Sequence, residues 1–115
     1  MKKAYHLAQC NTCQRILKAA NWTAQLQDIR TEKITAKQLE EMAELTGSYE
    51  ALFSRRALKY KSMGLKDKNL SELDYKKLIL EEDTFLKRPV FIIDSTIFVG
   101  NSEKTVKALI STLNE

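Results

Sequence analysis

Two cysteines separated by two residues stand where the apolar pattern of the chain changes period. Upstream of Cys10, residues 3–7 read as a short strand that ends at the cysteine loop. Downstream, Cys13, Ile16, Leu17 and Ala20 recur at spacings of three, one and three, the signature of a helix with one buried face. Residues 24–29 carry a weaker strand pattern. A strand, a Cys-x-x-Cys loop, a helix and a second strand confine this part of the chain to a strand–loop–helix–strand unit. Cys10 then lies at the loop and Cys13 one turn into the helix, on its apolar side.

That placement has chemical consequences. A cysteine at the first turn of a helix meets unpaired backbone N–H groups and the positive end of the helix dipole, and both favour a thiolate over a thiol. A thiol of ordinary pKa near 8.5 is about 3% ionised at pH 7, whereas one near 6.5 is roughly 75% ionised. The expected roles are therefore attack by Cys10 and resolution by Cys13 through thiol–disulfide exchange. A zinc site usually takes four ligands, and the chain offers two cysteines and one histidine. His6 stands four residues before Cys10. Its ring either packs on the strand or approaches the Cys10 thiolate and, when protonated, favours its ionised form.

The middle of the chain reads as helical. Thr35 with Gln38 has the capping-box form, Leu39, Met42 and Ala43 supply an apolar stripe, and Gly47 is placed to end the helix. Short helical segments are expected around 49–53 and 57–63, with Gly64 as the next stop. Ser71 and Asp74 start another helix, whose apolar residues are Leu73, Leu78 and Ile79. Strand character returns at 90–93 and 96–99, joined by the two-residue turn Asp94-Ser95. Ser102 caps a last helix with Glu103 at its positive end and Val106, Leu109, Ile110 and Leu113 on one face. Strand–helix–strand, a helical block, then hairpin and helix is an α/β, thioredoxin-like arrangement with helices inserted in its middle. The expected organisation is one domain over 1–115, with a core of about 1–30 and 86–115 and an inserted helical subdomain of about 31–85.

Composition narrows the setting. The 19 basic and 15 acidic residues interleave to a net +4, with no basic stripe, so a nucleic-acid footprint is not expected. A secretory signal needs an apolar run of about 7–15 residues near the N-terminus, which this sequence lacks. The expected location is the cytoplasm, where a Cys-x-x-Cys pair serves catalysis, redox sensing or metal binding rather than structural cross-linking. No membrane partner is expected. Lys87-Arg88-Pro89 precedes the hairpin. Pro89 reads as a strand-start proline or as a cis peptide facing the cysteine loop. Arg88 and the Arg55-Arg56 pair are either solvated or able to hold an oxyanion through charge-assisted hydrogen bonds.

Over its whole length the chain resembles the ArsC/Spx family, which includes the arsenate reductases. The likeness is carried by Tyr5-His6, by Cys10-Asn11-Thr12-Cys13, by residues 52–65, by Arg88-Pro89-Val90-Phe91-Ile92-Ile93-Asp94 and by Val99-Gly100. The resemblance implies that Cys10 attacks arsenate, that His6 aids its ionisation, that Arg88 binds the oxyanion and that Pro89 is cis. Arg56 matches Spx-like members, while the strict reductase frame places Ser54 there. The site set is thus Cys10, Cys13 and His6 as catalytic residues, with Arg88, Arg56, Pro89, Asn11 and Thr12 binding substrate and no metal. No bound cofactor is implied. The electron donor would be glutathione with glutaredoxin, or thioredoxin, and the substrate a small thiol compound or oxyanion.

Two departures divide the functional expectation. The reductases use a further arginine after the Arg-Pro strand, and residues 90–115 contain none. Cys13 stands where glutathione-linked reductases lack a second cysteine and Spx regulators have one. The leading expectation is a cytosolic thiol oxidoreductase resembling arsenate reductase. The alternative is a redox-sensing transcriptional regulator resembling Spx, which binds the RNA polymerase alpha subunit.

Overall fold

A computed structural model describes all 115 residues. Its elements run β1 (Lys2–His6), α1 (Asn11–Ala19), β2 (Gln25–Asp28), α2 (Ala36–Thr46), α3 (Leu58–Ser62), α4 (Glu72–Glu81), β3 (Val90–Ile93), β4 (Thr96–Val99) and α5 (Glu103–Leu113), with short 3₁₀ turns at Glu50–Leu52, Leu65–Asp67 and Asp83–Phe85. Two compact units form, one from Met1–Lys33 with Arg88–Glu115, the other from Ile34–Lys87.

The first unit holds the sheet, in the order β2-β1-β3-β4. β1 pairs with β2 in parallel and with β3 antiparallel, and β3 pairs antiparallel with β4. The parallel pair requires a crossover, and α1 supplies it. All four residues of β3 are buried, so its run of Val90, Phe91, Ile92 and Ile93 shows no alternation. Ala4, Ile16, Leu17, Phe91, Ile93, Phe98 and Leu109 pack as one core cluster, with Trp22, Val106 and Leu113 at its margin. Trp22 meets Phe91 edge-on at 5.0 Å. The β3–β4 turn places Asp94 in the left-handed region at φ 54°, which a short polar side chain tolerates. With α1 and α5 packed on it, this sheet makes the fold thioredoxin-like, and the helical block interrupts its sequence between β2 and β3.

In the second unit, both capping boxes form: Thr35 with Gln38 at α2 and Ser71 with Asp74 at α4. Gly47 ends α2 at φ 97°, a conformation that glycine adopts without steric cost. Phe53 stacks on Phe85 at 5.0 Å and lies 4.9 Å from Tyr75. The bonds Lys87 N–H to Leu52 O (2.8 Å) and Ser54 N–H to Phe85 O (2.6 Å) close the unit where the chain leaves it.

The structure corrects the reading of α4. Leu73, expected on its apolar stripe, is 62% exposed, and Tyr75 is buried with Ile79 instead. Tyr75 and Ile79 are one i,i+4 pair on the inner face, and Leu73 falls well off that line. The segment expected around 49–53 forms only a single 3₁₀ turn, Glu50–Leu52. No helix is long and apolar enough to cross a membrane.

Candidate active site

β1 ends at His6, and α1 begins at Asn11 with Cys10 as its N-cap. Cys10 has extended backbone, and its Sγ accepts a hydrogen bond from Cys13 N–H at 3.4 Å. The thiol sulfur therefore takes the place that a serine or aspartate oxygen usually occupies at a helix start. Cys10 N–H donates to Leu7 O at 3.0 Å, which folds the intervening loop back on the strand end. Cys13, one turn later, is fully buried, and Cys10 is partly exposed. Both are free thiols.

The two thiols are driven apart electrostatically. Partial burial opposes ionisation of Cys10, but hydrogen bonds from the Cys13 thiol and backbone N–H, the positive charge of Arg88, and a hydrogen bond from Thr12 N–H together outweigh it. The net effect lowers Cys10 below the ordinary thiol value. Cys13 is pushed up to about 12, chiefly by burial and further by the hydrogen bond and charge of Cys10; Leu7 N–H and Arg88 act in the opposite sense. The partly exposed sulfur is thus the more readily ionised of the two, and the buried one keeps its proton at neutral pH.

Arg88 directly precedes Pro89, and the peptide bond between them is cis. Pro89 is buried, and its carbonyl accepts from Gly100 N–H at 2.9 Å. The charge of Arg88 acts on both cysteines, yet its buried Nη1 makes no hydrogen bond. A buried donor without an acceptor costs about 1–3 kcal/mol. It is the one buried side-chain polar atom left in this state.

His6 has a different partner from the one expected. Its Nδ1 lies 3.0 Å from Gln14 Nε2, and it makes no hydrogen bond to Cys10. Gln14 went unnoticed in the sequence; the available signal was a polar residue beside the apolar face of α1, in the turn that starts at the cysteine loop. Of the other expected site residues, Asn11 is exposed and Thr12 half-buried on the first turn of α1. Arg56 is exposed and belongs to the helical unit. Cys10, Cys13, His6, Arg88, Pro89, Asn11 and Thr12 all belong to the sheet-bearing unit.

The model of the ArsC family matches residues 5–109. Solved structures share the fold. A Yersinia pestis protein provisionally assigned as an arsenate reductase is 17% identical, with a TM-score of 0.78 over 94% of this chain and 99% of that one. An arsenate reductase from Vibrio cholerae is 15% identical, with a TM-score of 0.76 over 96% and 95%. The Staphylococcus aureus protein SACOL0876 is 25% identical, with a TM-score of 0.73 over 94% and 97%. No curated protein matches the sequence.

Proposed function

The chain belongs to the ArsC family, and from that premise we propose that it is a thiol oxidoreductase of the arsenate-reductase type, with Cys10 as nucleophile and Cys13 as resolving thiol. The observation that carries this reading is the pairing of a partly exposed, ionisation-favoured Cys10 with a buried, protonated Cys13 under the charge of Arg88. Arg88 Nη1, buried without an acceptor, is the donor that an oxyanion would satisfy.

Cys10 thiolate attacks the arsenic of arsenate. A sulfur–arsenic bond forms, an arsenic–oxygen bond breaks, and the released oxygen takes up two protons and leaves as water. Arg88 supports the negative charge on the remaining oxygens. Once Cys10 is bound in the adduct, it no longer holds Cys13 protonated by its charge, while Leu7 N–H and Arg88 continue to favour the Cys13 thiolate. Cys13 then loses its proton and attacks Cys10 Sγ. The Cys10–Cys13 disulfide forms, the sulfur–arsenic bond breaks, and its electron pair stays on arsenic, which leaves as arsenite. An external dithiol or glutathione system reduces the disulfide and closes the cycle.

The test is NADPH consumption with arsenate, with the glutathione–glutaredoxin and thioredoxin systems supplied in turn. Turnover is expected with at least one donor and is lost in Cys10→Ser. A second reading rests on the absence of arginine from residues 90–115, which leaves fewer cations to neutralise an arsenate. The pair would then serve as a redox switch of the Spx type, with the RNA polymerase alpha subunit as partner. No turnover from protein whose cysteines still oxidise reversibly selects that reading.

A further inference from the structure

Gln14 joins the end of β1 to the first turns of α1. Its Nε2 lies 3.0 Å from Leu7 O and 3.0 Å from His6 Nδ1. A carbonyl oxygen only accepts, so the amide must turn its NH₂ group, not its oxygen, toward Leu7. One amide proton is committed there, and the other points at His6 Nδ1. That ring nitrogen must therefore be bare, and the ring proton sits on Nε2. Leu7 O also accepts from Cys10 N–H at 3.0 Å, and Leu7 N–H bonds the Cys13 thiol. Gln14, His6 and both cysteines are thus tied through one residue of the strand end.

We propose that Gln14 is a positioning residue for the cysteine loop: it fixes His6 as an Nδ1-acceptor, Nε2-donor imidazole and holds Leu7 where its two backbone groups meet Cys10 and Cys13. His6 then cannot act as a base through Nδ1, and it contributes to the site as a hydrogen-bonded anchor of the loop. The effect on Cys10 passes through Leu7 rather than through an imidazole–thiolate contact. The inference rests on Cys10 being the reactive thiol, but not on arsenate being its substrate.

His6 is the only histidine, so every imidazole signal in a nitrogen-15 NMR spectrum belongs to it. At about pH 8.5, above the ordinary histidine range, the wild type should carry the proton on Nε2, recognised as the nitrogen coupled to both carbon-bound ring protons. In Gln14→Glu an acceptor replaces the donor, and the proton should move to Nδ1. Gln14→Met, which removes both bonds, should give a mixture of tautomers. It should also slow iodoacetamide alkylation of Cys10 roughly fivefold, the effect of about one net hydrogen bond. A wild-type ring protonated on Nδ1 would overturn the proposal, whether or not either variant folds. So would a folded Gln14→Met protein with the wild-type tautomer and alkylation rate. Absence of arsenate turnover alone would overturn the reductase reading and leave this one standing.

Discussion

Replacing Cys13 by alanine should abolish a specific alkaline loss of stability. The folded protein holds the Cys13 proton up to about 12, whereas the unfolded chain releases it near the ordinary thiol value of about 8.5. Above that ordinary value the unfolded state binds fewer protons than the folded state, so stability falls as pH rises, by up to about 1.4 kcal/mol per pH unit. Between about pH 9 and 10.5 the wild type should lose roughly 2 kcal/mol from this group. Cys10, whose folded value is lowered, contributes in the opposite sense, and its contribution levels off once the unfolded thiol is ionised as well. The alanine variant also loses the packing of a fully buried sulfur, but that cost does not depend on pH and appears as a constant offset. Urea unfolding of both proteins, kept reduced and followed from pH 7.5 to 10.5, separates the two contributions. Curves that stay parallel over the whole range would refute the argument that burial holds Cys13 protonated, and with it the division of labour between the thiols.

Arg88→Met should raise the pH at which Cys10 alkylation reaches half its limiting rate, because a positive charge that favours the thiolate is removed; Arg88→Lys should shift it less. An unchanged alkylation profile in the methionine variant would exclude Arg88 from the electrostatics of the site. Thr35→Ala should cost about 1 kcal/mol in urea unfolding through loss of the bond from Gln38 N–H. Leu109→Ala, at a site 1% exposed, should cost about 2–5 kcal/mol. Leu58→Ala, at a site 90% exposed, should stay within about 0.5 kcal/mol.

What could be read from the sequence was what local physics decides. Ser71 and Asp74, Thr35 and Gln38, and Gly47 act within a few residues, and each forms the cap its spacing predicts. β3 and β4 were legible because β-branched and aromatic runs flank a two-residue turn. Cys10 stays partly exposed and Cys13 is buried because one helical turn carries the chain from the loop to the core. Tertiary packing settled the rest. Leu73 lost its expected place to Tyr75, which aligns with Ile79 and bonds Arg55 at 3.0 Å through its hydroxyl. His6 found Gln14 eight residues away, a pairing that exists only once β1 and α1 meet. The buried, unbonded Nη1 of Arg88 is likewise a property of the folded loop and not of its sequence.

The most direct test of the central claim is a single turnover without any external thiol. Fully reduced protein is mixed with arsenate, quenched in acid and analysed by mass spectrometry of the intact chain and its peptides. The wild type should lose two hydrogens, with the bond mapped to Cys10–Cys13, in step with arsenite formed one for one. Cys13→Ser should stall at the Cys10 adduct, and Cys10→Ser should form neither product. Arsenate that leaves the wild-type thiols unchanged, or arsenite formed by Cys10→Ser, would rule out attack by Cys10 with resolution by Cys13.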